Sequence, residues 1–467
     1  MLDIISIKTD NKEEHMDTNN SQLQTAPLGP EQAQLFQILE NTNETAFITG
    51  KAGTGKSHLL NYFVEHSKKK IAVVAPTGVA AINVHGQTIH SFFQLDPYIQ
   101  VLDEDIKLKR YHAEILRAID TLVIDEVSMV RSDIMEAINY KLKKANYSDL
   151  PFGGKQVVMF GDPFQLPPVA FDREAREFFG NFYDGIFFFS APVFDDTALK
   201  VYELSHVYRQ RDQRFIDLLN RLRIGTTTEF DIACLNGRHL LYGTSMEGVL
   251  TVTCTNKRAD EINATKLAGL NTPEHTFRAE MTGDDAKGFP VDLELKLKVG
   301  AQIMMLRNDN EAREFHAEEG RGPRWVNGTL GVVAELGEDK IVVAIDGARY
   351  TLQKETWEKT RYRYSSDTKG LRQDVVASCK QYPVKLAWAV TIHKSQGQTY
   401  QRVAIDFGRG AFEDGQAYVA FSRCVDLNSL YMLSPVLQKD IKVNKEVLKF
   451  MSGCTRLESP ERDVRCA

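Results

Sequence analysis

The segment "GKAGTGKS", residues 50–57, has the residue types and the spacing of a phosphate-binding loop. It follows the apolar run "AFIT" and precedes a helical pattern, which is the context that such a loop requires. Glycines let the backbone wrap the phosphates with its N–H groups. Lys56 is expected to reach the β and γ oxygens of ATP, and the Ser57 hydroxyl to ligate Mg²⁺. The candidate nucleotide-binding residues here are Gly50, Ala52, Gly53, Thr54, Gly55, Lys56 and Ser57.

Two adjacent acids end the next informative apolar run, "TLVIDE". Asp125 is placed to hold the metal ion, and Glu126 to orient and deprotonate the attacking water. Neighbouring carboxylates are common on loops, so by themselves they are equally well explained as a surface pair. Because they follow the phosphate loop in the same strand–helix pattern, they predict hydrolysis of the nucleotide rather than its storage.

A third polar motif, "GDPFQLPPV", follows the apolar run "VVMF" directly. The carboxyl ends of neighbouring parallel strands open onto one crevice, where ligands of open α/β sheets bind. Gln165, held by Pro167 and Pro168, is therefore placed to hydrogen-bond the γ-phosphate or the water, and to lose that bond after hydrolysis. The alternative is that "FQLPP" forms only a rigid turn.

The elements that carry these motifs alternate between short apolar runs and amphipathic segments, from "AFITG" to "KQVVMFGD". This rhythm favours a parallel sheet covered by helices on both faces. It resumes with "LKVYELS", "FIDLLNRLR" and "GVLTVTCTN", and later with "QRVAIDFG", "GQAYVAFSR" and "LYMLSP". We therefore predict an α/β protein with two parallel-sheet domains. The expected limits are a loosely ordered tail over 1–27, a first domain over 28–195, a second over 196–437, and a C-terminal tail over 438–467.

Two insertions interrupt the predicted domains. The stretch "TLGVVAELGEDKIVVAIDGARYTLQ" alternates apolar and polar residues and turns at Asp346-Gly347, which predicts an antiparallel hairpin. We place a small antiparallel β insertion over about 296–386. A second insertion is expected over about 79–113, where no clear sheet strand is visible.

Composition sets the class of protein and excludes others. The 467 residues are 43% hydrophobic and 26% charged, and no apolar run approaches the length of a membrane span. The first residues match neither a secretory signal nor a transit peptide, so we expect a cytoplasmic protein. The six cysteines show no CxxC spacing, which argues against a zinc site or a disulfide framework. A net charge of −6 gives no overall attraction to nucleic acid but leaves room for a local basic groove.

The order of the motifs resembles the petite-integration-frequency (PIF) family of DNA helicases in superfamily 1B, and most closely its compact bacterial members. The resemblance spans about Leu28 to Leu433, and its finer assignment depends on "EVSMV" and the helix near "SDIMEAINYKLKK". The chain has "FSRC" where the family often has "LSRA", which leaves Arg423 in place. The motifs are "GKAGTGKS", "APTGVAA", "GQTIHSFF", "IDEVSMV", "GDPFQLPPV", "YRQ", "TNKRADEIN", "VNGTLG", "TIHKSQGQT" and "GQAYVAFSR".

The resemblance implies two tandem RecA-like domains and adds residues to the nucleotide site. It assigns Gln32 to adenine recognition, and Gly397 and Gln398 to nucleotide binding. It makes Arg209 of "YRQ" and Arg423 of "AFSR" the two arginines that the second domain offers to the γ-phosphate. A guanidinium suits that role because it keeps its charge, whereas without the motifs either arginine would more often form a surface salt bridge.

The resemblance also assigns DNA contacts to residues at strand ends of both predicted sheets. Small hydroxyls, backbone amides and imidazoles suit phosphate and sugar contacts that read no sequence. A lone histidine would more often be buried and hydrogen-bonded, but two histidines in corresponding motifs favour the DNA-binding interpretation. The residues are Thr77, Gly78, Val79, His90, Ser91, Phe92, Asn256, Lys257, Thr391, His393 and Ser395.

The implied activity is ATP-driven opening and closing of two domains, with movement 5′ to 3′ on single-stranded DNA and unwinding of duplexes. The resemblance makes the insertion after Val79 a strand-separating wedge and the β insertion a small barrel beside the DNA channel. Single-stranded DNA, forked or overhang duplexes and quadruplex DNA are the expected partners of a monomeric motor. The alternatives are a translocase that does not separate strands, a RecD-like helicase, a nucleotide-gated DNA clamp, and an RNA helicase.

Overall fold

The computed structural model describes residues 27–96, 108–169, 173–210, 212–239, 246–283, 288–309, 324–365 and 370–453. The predicted N-terminal tail lies outside this part of the chain, except for Pro27. None of the helices within these ranges combines the length and the apolarity that crossing a bilayer requires.

A six-stranded parallel sheet carries the first three motifs, as predicted from the apolar runs. Its order is β3-β2-β4-β5-β1-β6, so β1, which leads into the phosphate loop, lies inside the sheet beside β5. Such a strand is buried on both faces, which explains its continuous apolar sequence. The strands are β1 (Ala46–Gly50), β2 (Ile71–Ala75), β3 (Gln87–Thr88), β4 (Thr121–Ile124), β5 (Gln156–Phe160) and β6 (Lys200–Leu204).

Helices cover this sheet, and the predicted helix at Pro30 is confirmed. Pro30 occupies the first helical position, where its missing N–H costs nothing, and Leu35 and Leu39 are fully buried. The helices are α1 (Pro30–Asn41), α2 (Lys56–His66), α3 (Gly78–Asn83), α4 (Ile89–Phe93), α5 (Arg110–Ala118), α6 (Ser132–Asn146) and α7 (Arg173–Phe182), with 3₁₀ turns at Val127–Met129, Pro151–Gly154, Phe188–Ser190 and Pro192–Phe194.

Strand β6 corrects the predicted boundary between the domains. We expected "LKVYELS" to open the second sheet, but β6 pairs in parallel with β1, from Ala46–Lys200 to Gly50–Leu204. An apolar strand can pair either with the free edge of β1 or with the second sheet. Its apolar pattern is the same in both positions. The pattern therefore could not decide between them, and the first sheet extends beyond residue 195.

The predicted first insertion, 79–113, is only partly described, because residues 97–107 lie outside the described ranges. The expectation that it contains no sheet strand is wrong, because one short strand is present. Strand β3 pairs with the edge of β2, with Val74 opposite Gln87. Two residues are too few to produce the alternation from which strands are predicted.

After β6 the chain forms two helices, one strand and a third helix, and then a series of antiparallel strands. The first elements are α8 (Gln213–Ile224), α9 (Glu229–Asn236), β7 (Leu250–Thr253) and α10 (Asn256–Ala268). The antiparallel strands are β8 (Glu274–Arg278), β9 (Glu280–Thr282), β10 (Glu294–Lys298), β11 (Gln302–Met305), β12 (Leu330–Leu336), β13 (Ile341–Ile345), β14 (Ala348–Leu352), β15 (Glu355–Ser365), β16 (Gly370–Gln381) and β17 (Val384–Leu386).

The predicted antiparallel insertion is confirmed, and it begins earlier than expected, at Glu274. Five of its strands form a sheet of linear order β14-β13-β12-β11-β17. The hairpin at Asp346-Gly347 is present, with Ile345 opposite Ala348. Both turn residues have positive φ, 48° and 82°, as a tight two-residue hairpin turn requires.

The long hairpin of β15 and β16 attaches this insertion to the first sheet. The Tyr362 hydroxyl accepts a hydrogen bond of 3.2 Å from the backbone N–H of Val73 in β2. The Tyr362 backbone N–H donates to the side chain of Gln87 in β3 at 3.2 Å. Its ring packs edge-to-face against Phe92, with centroids 5.4 Å apart. The insertion is therefore in direct contact with the edge of the first sheet.

The chain then returns to a second parallel sheet of order β18-β7-β19-β20. Its core contains side chains from α8, among them Phe215 and Leu222, which are both nearly inaccessible to solvent. The remaining strands and the helices between them are β18 (Ala389–Thr391), α11 (Ile392–Ser395), β19 (Val403–Asp406), α12 (Gln416–Phe421) and β20 (Leu430–Met432).

A last helix, α13 (Lys445–Ser452), corrects the prediction of a C-terminal tail. It leaves the second sheet and packs against the first, where the ring of Phe450 stacks on Phe189 with centroids 4.1 Å apart. Val447 is buried in the core of the second sheet. With only two turns, the helix offered too short an apolar periodicity for prediction, and packing against both cores stabilises it. Residues 454–467 lie outside the described ranges.

We expect Phe450→Ala to destabilise the protein by about 1–3 kcal/mol, because it removes a partly buried ring from the junction of the two sheets. The measurement is thermal unfolding followed by circular dichroism. Leu448→Ala is the control, since Leu448 lies on the same helix and is 37% exposed. Equal shifts for both variants would contradict the role of α13 as a link between the sheets.

Candidate active site

A cavity of about 450 Å³ lies where the carboxyl ends of β1, β4 and β5 face the second sheet. It contains phosphate-loop residues, both acids, Gln165 and both arginines that the sequence singled out. The residues that line it are Ala52, Gly53, Gly55, Lys56, Ser57, His58, Asp125, Glu126, Gly161, Gln165, Tyr208, Arg209, Gly397, Thr399 and Arg423.

The phosphate loop connects β1 to the first turn of α2. Gly55 has φ 77°, and a Cβ there would lie 2.4 Å from the amide nitrogen of Gln32, so only glycine fits. The Lys56 ammonium donates to the backbone carbonyls of Gly50 at 2.7 Å and Lys51 at 3.1 Å. Burial lowers the pKa of Lys56 to about 8, although the carboxylates of Asp162 and Glu126 oppose the shift. No carboxylate in the described ranges forms an ion pair with this ammonium, so a phosphate group would provide its anionic partner.

Gln32 lies beside Gly55 of the phosphate loop, but it does not line the cavity. It is buried, its Oε1 accepts from the backbone N–H of Gly29, and its Nε2 donates to the Gly55 carbonyl, both at 3.0 Å. Tyr208 lies beside the same glycine and is 49% exposed at the cavity wall. An amide and an aromatic ring at one end of a phosphate site suit a flat, polar base. The adenine contact of Gln32 stays a prediction.

The two acids follow β4 and are both half-buried. Burial and the neighbouring charge of Glu126 raise the pKa of Asp125 to about 7. Burial also raises the pKa of Glu126, although Lys56 and Arg423 oppose this shift. The Glu126 backbone is left-handed, with φ 47°, which is uncommon for a glutamate and directs it away from the strand. Gln396, from the second sheet, donates to its carboxylate at 3.1 Å.

Gln165 lies in the loop after β5, between two residues that pack against the second sheet. Phe164 and Leu166 belong to the apolar core of that sheet and are almost inaccessible to solvent. The Gln165 side chain faces the cavity, and its amide nitrogen lies 3.4 Å from the Asp162 carboxylate. The loop thus contacts the cavity on one side and the second sheet on the other.

Both predicted arginines reach the cavity, but by different routes. Arg423 follows α12 of the second sheet, is 1% exposed, and donates to the carbonyls of Val419, Ser395 and Gln398. Arg209 lies in the connection between β6 of the first sheet and α8, whose side chains lie in the core of the second, and its guanidinium donates to the Ser422 carbonyl at 3.2 Å. Burial and the charge of Arg423 lower the pKa of Arg209 to about 9.

Several predicted residues contact the site only indirectly. The Gln398 carbonyl accepts from Arg423, and the Gly50 carbonyl accepts from Lys56. The Thr54 hydroxyl donates to the Lys51 carbonyl at 2.9 Å. Only Gly397 of the predicted "GQ" pair lines the cavity.

The predicted DNA-binding residues fall at the carboxyl ends of strands in both sheets. Thr77, Val79 and Ser91 are exposed after β2 and β3, and His90 is half-buried. Asn256 and Lys257 are exposed at the start of α10. Two further positions are engaged within the protein. The His393 Nε2 lies 3.1 Å from the Glu413 carboxylate, and a Cβ on Gly78 would lie 3.1 Å from the Gly288 carbonyl of the insertion.

Three of these side chains are not available to DNA in this structure. Phe92 is 3% exposed and packs between Phe93 and Tyr362 in the core of the first sheet. Ser395 is fully buried and donates to the Ile392 carbonyl at 2.7 Å. The Thr391 hydroxyl caps α11 by accepting from the Lys394 N–H. A motif identifies a segment, but the packing of each residue decides which side chains face outward.

Four further functional candidates lie within the quoted motifs but had no role predicted from the sequence. Tyr208 stands before Arg209 in "YRQ", Gln396 stands within "TIHKSQGQT", and Asp162 stands within "GDPFQLPPV". Tyr418 of "GQAYVAFSR" also reaches the site, because its hydroxyl accepts from the Ala52 N–H at 2.8 Å. Their positions inside motifs of the family resemblance could have identified them as candidates. Residue spacing alone predicts no role for them.

Comparison with known proteins places the chain in a family. A family model described as PIF1-like helicase matches residues 27–232, and a model described as Helicase matches residues 367–455. The ATP-dependent DNA helicase Pif1 of Bdellovibrio bacteriovorus is 31% identical over 440 residues, which cover 91% of this chain and 91% of that protein. The chain belongs to the PIF1-like helicase family.

Solved structures of a relative in this PIF1-like family agree with the fold. Pif1 from Bacteroides sp. in complex with ADP-AlF4 matches with a TM-score of 0.82 at 35% identity, over 91% of this chain and 97% of that chain. The same relative bound to single-stranded DNA matches with a TM-score of 0.63, over 91% of this chain and 96% of that chain. The predicted fold class, an α/β protein with two parallel-sheet domains, is confirmed.

Proposed function

We propose that this protein is an ATP-dependent DNA helicase that moves 5′ to 3′ along single-stranded DNA and unwinds duplexes. One observation carries the proposal. A single cavity between two parallel sheets joins the phosphate loop, the acids Asp125 and Glu126, Gln165 and both arginines. Relatives of nearly the same length are ATP-dependent DNA helicases, and the Bacteroides relative is known bound to single-stranded DNA.

The cavity suits the binding of ATP in one orientation. Gln32 and Tyr208 meet at Gly55, where they would bind the edge and the face of the adenine. The loop amides and Lys56 would then hold the phosphates. The γ-phosphate would lie nearest to Gln165, Arg209 and Arg423, which line the cavity beyond the loop. Neither arginine forms an ion pair with a carboxylate in the described part of the chain, so a polyanion would offset their buried charge.

Hydrolysis would depend on the two acids. Glu126 would take the proton of the attacking water, because burial raises its pKa and makes it a better base. Ser57 and Asp125 line the same cavity and offer the hydroxyl and carboxylate oxygens that Mg²⁺ prefers. A cation there would also offset the repulsion between Asp125 and Glu126. When bound, Mg²⁺ neutralises charge on the phosphate oxygens.

Loss of the γ-phosphate would loosen the contact between the sheets. Arg423 belongs to the second sheet, whereas Lys56 and Glu126 belong to the first. An anion between them holds the sheets together, and its release lets them separate. The exposed residues after β2, β3 and β7 would grip the DNA backbone on both sheets, so each cycle would shift one grip relative to the other. Monomeric action and activity on quadruplex DNA are finer parts of the same proposal.

The test is ATP hydrolysis with and without single-stranded DNA, followed by unwinding of duplexes with a 5′ or a 3′ overhang. We expect DNA to stimulate hydrolysis and only the 5′ overhang to be unwound. Lys56→Ala should reduce both activities to background, because it removes the ammonium that the phosphates need.

Lys155→Ala is the matched control for the Lys56 variant. Its ammonium also donates to a backbone carbonyl, that of Arg117 at 2.9 Å, but it lies outside the cavity. Normal hydrolysis by Lys56→Ala would refute the proposed site. DNA-stimulated hydrolysis by the wild type without unwinding of either duplex would instead indicate a translocase that does not separate strands.

A further inference from the structure

A buried hydrogen-bonded chain connects the phosphate loop to the second sheet behind the nucleotide cavity. Its centre is Tyr418 on α12, which is 3% exposed and does not line the cavity. The Tyr418 hydroxyl accepts from the Ala52 N–H at 2.8 Å, across 366 positions of sequence. Its own proton points to the Asp162 carboxylate at 3.3 Å. One phenol thus satisfies a donor and an acceptor on two different motifs of the first sheet.

The Asp162 carboxylate extends this chain in two directions. One oxygen accepts from the guanidinium of Arg223 on α8, at 3.1 and 3.2 Å. The other oxygen accepts from Tyr418 and, at 3.4 Å, from the side-chain amide of Gln165. Arg223 also pairs with Glu203 of β6 at 3.0 Å. Gln165 and Tyr418 therefore share one acceptor atom, which accepts from both side chains at once in this structure.

The backbone of α12 is in equally close contact with the Gln165 loop. Gly415, the residue before the helix, has φ 71°, and a Cβ there would lie 2.3 Å from the Gln165 carbonyl and 2.4 Å from that of Phe164. The same helix leads directly to Arg423. Tyr418 thus lies between the loop that faces the γ-phosphate position and the arginine that would bind it.

We infer that Tyr418 is a positioning residue that couples the nucleotide state at Gln165 to the second sheet. The inference rests on the proposed function. Tyr418 acts through Asp162 and Ala52 and does not touch the nucleotide. With the γ-phosphate present, Gln165 is drawn into the cavity and Asp162 remains bonded to Tyr418, which keeps α12 and Arg423 in place. After the γ-phosphate is lost, the Gln165 amide bonds to the same Asp162 oxygen, which then divides its charge between two donors, so the bond to Tyr418 weakens.

The test is Tyr418→Phe, which keeps the ring and removes only the hydroxyl. We expect kcat for DNA-stimulated hydrolysis to fall about tenfold, because two buried groups lose their shared partner. The KM for ATP should change by less than about twofold, because Tyr418 does not line the cavity. The number of base pairs unwound per ATP hydrolysed should also fall, and a merely structural residue would not alter that ratio.

Tyr382→Phe is the matched control. Tyr382 is likewise 3% exposed, and its hydroxyl donates to the Asp339 carbonyl at 2.7 Å, far along the antiparallel insertion. We expect its kcat and its unwinding ratio to match the wild type. Melting temperatures of both variants are measured so that activities are compared on folded protein. Unchanged kcat and ratio in Tyr418→Phe, with Lys56→Ala inactive, would overturn the inference and leave the proposed function intact.

A double-mutant cycle with Gln165→Ala gives a second, independent measurement. If Tyr418 acts through the Asp162 oxygen that it shares with Gln165, removing its hydroxyl should hardly change kcat in a Gln165→Ala background. The kcat of the double variant should then be about that of the slower single variant. Effects on kcat that multiply would overturn the inference, even if Tyr418→Phe alone is slow. Normal hydrolysis by Gln165→Ala would instead count against the proposed γ-phosphate contact.

Discussion

Glu126→Gln should bind ATP with nearly normal affinity and hydrolyse it about 10²–10⁴-fold more slowly than the wild type. The amide can still accept the hydrogen bond of Gln396, now 3.1 Å from the carboxylate, so the contact between the sheets is kept. What is lost is the ability to take a proton from water. The measurements are ATP affinity by calorimetry and phosphate release in a single turnover.

Glu136→Gln is the control for the Glu126 variant. Glu136 is also half-buried, and its carboxylate accepts from the Asn139 amide and the Val193 N–H, at 2.7 and 3.0 Å. Glu136 lies on α6 and does not line the cavity, so the Glu136→Gln variant should hydrolyse ATP at the wild-type rate. Normal turnover by Glu126→Gln would show that another group is the base.

Arg423→Ala should lower kcat by about 10³-fold or more, the effect of removing an arginine that stabilises charge in phosphoryl transfer. The side chain is buried at the cavity, and it is the cation that the second sheet contributes. Arg423→Lys should restore little, because an ammonium cannot form the planar pair of bonds that a guanidinium forms with phosphate oxygens. The readouts are kcat for hydrolysis and the affinity for ATP, which should fall far less than kcat.

Because Arg423 also binds backbone carbonyls, its loss could act through the fold of the second sheet. Arg238→Ala separates the two effects. Arg238 likewise donates to carbonyls of that sheet, those of Leu430 at 3.2 Å and Asn428 at 2.5 Å, but it does not line the cavity. We expect it to lower the melting temperature with little change in kcat. Equal losses of activity in both variants would mean that Arg423 only supports the sheet.

The two largest expected effects come from opposite sides of one cavity. Glu126 would act on the attacking water from the first sheet, and Arg423 on the departing charge from the second. On this proposal hydrolysis would require the sheets to be together, and the product, with less charge, would hold them less strongly. The Tyr418 hydroxyl would couple Gln165 to α12, and the effect of its removal should be smaller because it acts through other residues.

Local patterns were sufficient for most of the elements and for the chemistry of the first sheet. The phosphate loop was predictable because its glycines, lysine and serine act within eight consecutive positions after a strand. The acids after β4 and Gln165 after β5 were predictable because parallel strands open at the same edge. The hairpin at Asp346-Gly347 was predictable because two positive φ angles demand particular residues.

Contacts between distant segments could not be predicted from local patterns. Strand β6 fits the edge of either sheet by its pattern, and only its pairing with β1 decides. Phe92 stands in a motif with His90 and Ser91, yet packing against Tyr362 turns it into the core. Helix α13 is short, and its stability comes from two cores at once. In each case the deciding free energy comes from side chains that are remote in sequence.

By itself, the sequence therefore determined the reaction class, the order of the elements and most of the residues that line the cavity, since these follow from spacing within single strands, turns and helices. Only the tertiary structure decided that β6 joins the first sheet, that Gln396 reaches Glu126, and that Tyr418 joins Ala52 to Asp162. The physical reason is that packing and buried hydrogen bonds form between two surfaces. The periodicity of one segment does not identify the segment against which it packs.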